Sequence, residues 1–199
     1  MNTVDRPEDA DLLPVLRAGD IPREETPRRW LVEGLWASSA VGWIAGSPKS
    51  CKSWLGLDMA VSVATATPCL GTYPVLEPGR TLVYLAEDAL PRVRERLCAI
   101  CLHRSISIES LDLHVITAPS LRLDLARDQV RLQKTVRELR PRLLLLDPLV
   151  RLHRLDENAV AEVTRLLSYF RDLQRELDLA MVVVHQTRKN TSAGQQAGQ

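Results

Sequence analysis

Between Trp30 and Lys189, short apolar runs alternate with segments whose apolar residues recur every three to four positions. The first run is AVGWIAG, and a helical pattern follows from Lys52 to about Ala66. RTLVYLAE comes next, then a helix from Pro91 to about His103. The alternation continues through LDLHVITA, a helix near Arg127 to Leu139, PRLLLLD, a helix from about Asn158 to Leu177, and LAMVVVHQ. This order predicts an α/β domain assembled from β-α-β units. RLLLLD and AMVVVH are uninterrupted apolar runs, as strands covered on both faces require. The sheet is therefore expected to be largely parallel, with helices on both sides. Ligands of such sheets bind at the carboxyl ends of the strands.

The flanks read differently. Residues 1–29 are rich in Pro and charge and form an N-terminal arm, residues 30–189 form the compact core, and residues 190–199 are a polar Gly- and Gln-rich tail expected to be flexible. A chain of 199 residues with 45% hydrophobic residues suits one domain with its own core. The formal net charge of +1 makes no global case for nucleic acid. No apolar run approaches the ~20 residues needed to span a bilayer, and the acidic start MNTVDRPEDAD lacks the pattern of a secretion signal. No membrane partner and a cytoplasmic location are expected. Cys98 and Cys101 have metal-like spacing, with His103 and His114 nearby, but they sit in a helical pattern without a second cysteine pair. They read instead as small apolar residues one helical turn apart, and Cys69 reads the same way.

The chemistry begins where AVGWIA ends. AGSPKSCKSW matches the phosphate-gripping spelling at Gly46, Lys52 and Ser53, and Cys51 replaces the glycine that the pattern has before its lysine. Strand before and helix after are the context this loop requires. A glycine-bearing turn entering a helix directs backbone N–H groups and the positive end of the helix dipole into one cavity, which suits a polyphosphate. Lys52 then reaches the β- and γ-phosphates of ATP and Ser53 ligates Mg²⁺. Gly46, Ser47, Pro48, Lys49, Ser50, Cys51, Lys52, Ser53 and Trp54 line this nucleotide site. Cys51 lies so close to the helix start that a small side chain is expected there without positive φ.

Polar residues also stand where the other apolar strands stop: Glu87 and Asp88, Asp147, and His185 with Gln186. Carboxylates buried without partners are costly, and a shared Mg²⁺ and an attacking water account for them. Asp147 suits a direct or second-shell carboxylate for the metal. Glu87 suits the base that orients and polarises the water, with Asp88 the next candidate. His185 suits a sensor of the γ-phosphate.

With RRWLVEGLW, VGWIAGSPKSCKSWLGLDMAVSVATATPCLG, GRTLVYLAEDALPRVRERL, LLLLDPLVRLHRLDENAVAEVTRLL and MVVVHQTRK, the chain resembles RecA-type ATPases related to the hexameric replicative helicase of broad-host-range plasmids. The resemblance covers about Trp30 to Lys189. It implies a RecA-like P-loop fold and Mg²⁺-dependent ATP hydrolysis, with Lys52, Glu87 and His185 in catalysis and Ser53 and Asp147 at the metal. It adds Arg96 as an arginine near the nucleotide, and Lys49 fits relatives whose loop carries a Pro-Lys pair. It also implies a helicase-type role, with a hexameric ring and single-stranded DNA as partners of the complete protein; a regulatory or recombination ATPase that does not unwind DNA, and a nucleotide-binding interaction domain without hydrolysis, stay open beside it. Relatives continue past the histidine strand with further strands, DNA loops and an arginine reaching the neighbouring subunit. Those C-terminal strands are expected to be missing here, which leaves Arg188 and Lys189 as the nearest basic residues.

Overall fold

The computed structural model describes residues 15–21, 29–154 and 160–187. Most of the N-terminal arm, the start of the last helix near Asn158, the pair Arg188 and Lys189, and the tail lie outside the described residues. The strands are β1 (Trp30–Val32), β2 (Trp36–Ala37), β3 (Val41–Gly46), β4 (Thr81–Leu85), β5 (Leu113–Val115), β6 (Leu143–Asp147) and β7 (Ala180–Gln186). The helices are α1 (Lys52–Thr65), α2 (Leu90–His103), α3 (Ala126–Leu139) and α4 (Val160–Leu177). The last five strands form one sheet in the order β3-β7-β6-β4-β5, and every neighbouring pair is parallel. This is the predicted doubly covered α/β sheet. The small antiparallel hairpin β1–β2 was not part of that prediction.

The alternation within each strand sorts the core into two layers. Leu143 and Leu145 of β6 and Val182 and Val184 of β7 join Leu57, Val61, Val93 and Leu97 of α1 and α2. Leu144, Leu146, Met181 and Val183 join Leu132, Val136, Leu166 and Phe170 of α3 and α4 on the opposite face. Continuous apolar runs are needed because both sets of side chains are buried. Helix α1 lies close to the sheet: a Cβ on Gly56 would meet a Leu145 methyl at 2.8 Å. Arg104, just after α2, ties the two helices of that face together. It donates to Asp58 Oδ1 at 2.5 Å, Ser62 Oγ at 2.8 Å and Thr67 Oγ1 at 2.6 Å. Cys69 is buried beside this network, and burial with the nearby Asp58 charge pushes its thiol up to about 12. Cys101 is also buried, as its apolar reading predicts, whereas Cys98 is only half-buried.

The register fixes where the strand ends meet. Gly46 pairs with Gln186, Ala45 with His185, and Leu85 with Asp147. Every polar residue singled out at a strand end therefore stands on one edge of the sheet, the edge from which α1 starts. No described helix is long and apolar enough to cross a membrane.

Candidate functional site

The loop from Ser47 to Cys51 turns the chain from β3 into α1, and two of its residues adopt left-handed backbone: Lys49 at φ 63° and Cys51 at φ 60°. The expectation that Cys51 escapes positive φ is thus corrected. As the residue preceding α1, it holds φ 60°, ψ 20°, a conformation that glycine adopts freely and a Cβ makes costly. Its carbonyl still accepts the first helical bond, from Leu55 N–H at 3.0 Å. Left-handed residues in a tight loop form the concave backbone from which anion sites are made. Replacing Cys51 with glycine is expected to relieve about 1 kcal/mol of local strain, partly offset by the entropy of a freer unfolded chain. ATP affinity is expected to hold or improve. A thermal melt and a calorimetric titration check both, and a clear loss of affinity would assign the thiol a role of its own.

Lys52 is buried to 8% exposure. Its ammonium donates to Ser47 O at 2.6 Å and to Ser50 Oγ at 3.3 Å, and Ser50 Oγ donates to Ser47 O at 2.8 Å. The lysine head is therefore held inside the curve of the loop, where its charge faces the same space as the first N–H groups of α1.

Asp147 closes the other side. It is 6% exposed, and burial pushes its carboxyl above the usual carboxylate range. A hydrogen bond from the Ser53 hydroxyl and the Arg96 charge oppose that rise, while Asp88 and Glu87 add to it. A buried carboxylate bonded to a serine and crowded by two more carboxylates is a donor set that a divalent cation relieves. Among the described residues, no cluster of three or more His, Cys, Asp and Glu could hold a metal alone. Ser53 and Asp147 are the residues that would hold Mg²⁺, an ion that commonly binds through one or two protein oxygens together with substrate phosphates.

Arg96 reaches across from α2. It donates to Asp88 Oδ2 at 2.6 Å, and its guanidinium carbon lies 5.8 Å from the centre of the Trp54 ring. Its Nε is buried and has no hydrogen-bond partner among the described residues. An orphaned guanidinium donor beside a phosphate loop fits an anion, because leaving it unpaired costs about 1–3 kcal/mol or more.

These groups share one cavity of about 250 Å³, lined by Lys49 to Trp54, Arg96, Asp147, Val184 and Gln186. Glu87 and His185 stand at the same edge of the sheet but outside that lining. Glu87 Oε1 accepts a bond from Arg151 Nε at 2.8 Å. His185 follows Met181 and Val183 in strand alternation, so it belongs to the face of α3 and α4. Gln186, which lines the cavity, follows Val182 and Val184 on the face of α1. The period of two along LAMVVVHQ carries that signal, since the two polar residues must face opposite layers. A larger cavity of about 620 Å³ lies at the amino ends of β6 and β7. Two of its arginines are already paired, Arg137 with Glu176 and Arg142 with Glu77, and none of the phosphate-loop groups lies there.

A parallel sheet, a loop from strand to helix holding a buried lysine, and an acidic strand end bonded to the serine after that lysine together define a P-loop nucleotide-binding domain of the RecA-like α/β class. A family described as an AAA domain matches residues 6–192, and the chain belongs to that family. Among solved structures, the RadB recombinase is similar with a TM-score of 0.53 and 19% identity over 77% of this chain, a likeness of fold. The chain spans 65% of that structure's length. No curated protein matches the sequence.

Proposed function

We propose that this domain binds ATP with Mg²⁺ and hydrolyses it. The observation that carries the proposal is the convergence of Lys52, Ser53, Asp147 and Arg96, whose buried Nε has no partner among the described residues, on one cavity at the start of α1. Lys52 and the N–H groups of the loop bind the phosphates. Ser53 and Asp147 hold Mg²⁺, which supplies positive charge against the charge that develops on the phosphate oxygens. Glu87 turns from its surface position to accept a proton from the attacking water. Trp54 and Arg96 flank the nucleotide, and Gln186, from the adjacent strand, contacts the same space. His185 stands at the end of β7 on the face opposite the cavity, so Gln186 is the residue of that strand end placed to sense the γ-phosphate.

The resemblance to plasmid replicative helicases supports a motor role in which copies of the protein form a hexameric ring on single-stranded DNA. The fold likeness to a RadB recombinase suits a second reading, a recombination or regulatory ATPase that does not unwind DNA. Turnover assays with and without single-stranded DNA, paired with an unwinding assay, separate the two. In the same assays Asp147→Asn is expected to raise the Mg²⁺ concentration for half-maximal turnover by about 10- to 100-fold. An unchanged Mg²⁺ requirement in a folded variant would remove Asp147 from the metal site.

A further inference from the structure

We propose that Arg151 is a positioning residue for Glu87, holding its carboxylate outside the nucleotide cavity until the pair opens. The inference rests on the proposed role of Glu87 in hydrolysis. Strands β4 and β6 are neighbours with Leu85 opposite Asp147, and Ala86 N–H donates to Asp147 O at 2.8 Å. Glu87 lies two residues past this register on one strand, and Arg151 lies four past it on the other. The two side chains meet across the cleft between strand ends, Arg151 Nε to Glu87 Oε1 at 2.8 Å.

The backbone presents Arg151 firmly. Arg151 N–H bonds to Pro148 O at 3.1 Å, and Leu152 N–H bonds to Leu149 O at 2.8 Å. Leu152 is fully buried, and its carbonyl accepts from Leu123 N–H at 2.6 Å. The guanidinium thus projects from a fixed turn, while the two paired side chains remain 62% and 41% exposed. An ion pair so exposed is weak and salt-sensitive, so it adds little to stability and opens readily. Its consequence is orientation. The carboxylate bound to Arg151 is not among the groups lining the cavity with Lys52, Ser53 and Asp147. Its neighbour in sequence, Asp88, is largely buried and bonded to Arg96, so the two adjacent acids are paired with different arginines, one pair sheltered and one exposed. Turnover then depends on how often the outer pair is open.

The test compares wild type, R151A, R151K and E87Q at saturating ATP and Mg²⁺ without DNA, with ionic strength varied from about 0.05 M to about 0.5 M. Wild-type kcat is expected to rise with salt as the pair is screened. R151A should exceed wild type at low salt by about 2- to 5-fold, respond little to salt, and keep the wild-type KM for ATP. R151K, which retains a cation, should recover the salt response. An R151A kcat at or below wild type at low salt, or a salt response equal to wild type, overturns the proposal. E87Q separates the two readings. If it turns over as wild type does, the hydrolytic role of Glu87 fails and the role of Arg151 fails with it. If E87Q is inactive while R151A matches wild type, only the role of Arg151 fails.

Discussion

Replacing Lys52 with alanine is expected to lower ATP affinity by on the order of 10²-fold or more in the presence of Mg²⁺. The ammonium is buried in the curve of the loop and already makes contacts at 2.6 and 3.3 Å with loop oxygens. A phosphate entering that curve exchanges those neutral acceptors for charged ones, and hydrogen bonds between charged groups contribute about 1.5–3 kcal/mol each. Two phosphates contacted by one lysine therefore account for about 3 kcal/mol, which is the stated loss. The fold should survive, because the stem of Lys52 is short of the two core layers and the replaced contacts are internal to the loop. Calorimetry on wild type and variant reads the affinity, and a thermal melt confirms folding. Equal affinities in two folded proteins would show that the loop does not grip phosphate.

Glu87→Gln is expected to leave ATP binding intact while turnover falls by roughly 10²-fold or more. Glutamine keeps the length and hydrogen-bonding reach of glutamate and removes the base. Glu87 is outside the lining of the nucleotide cavity, so the binding groups Lys52, Ser53 and Arg96 are not disturbed by the change. Binding and hydrolysis should therefore separate cleanly in this variant, in contrast to the alanine variant of Lys52, which loses both. Single-turnover kinetics at saturating ATP give the measurement. Wild-type turnover by Glu87→Gln would move the base to Asp88, which stands one residue on and is bonded to Arg96 at 2.6 Å.

What the chain discloses without coordinates follows from the range over which each signal acts. The five strands of the main sheet and the four helices were legible because each has a sustained local pattern, as LLLLD and MVVVH have for buried strands. Lys52 and Ser53 were legible because the loop's spacing is local as well. The hairpin of Trp30–Val32 with Trp36–Ala37 was not, since strands of three and two residues are too short to show a period. Strand order was not legible either: β7 inserts between β3 and β6 through packing of distant segments. The left-handed conformation of Cys51 ran against its residue type, and only the closed geometry of the loop imposes it. The bond between Arg151 and Glu87 joins residues 64 apart, so no local pattern carries it.

Whether the loop between β3 and α1 seats ATP is decided by a crystal structure grown with Mg²⁺ and a non-hydrolysable ATP analogue. The triphosphate is expected in the curve of Gly46 to Ser53, with Lys52 Nζ on its phosphates, Mg²⁺ against the Ser53 hydroxyl, and Arg96 Nε newly paired. A nucleotide seated elsewhere, for instance in the arginine-lined cavity at the amino ends of β6 and β7, or no bound nucleotide at saturating concentration, would contradict it.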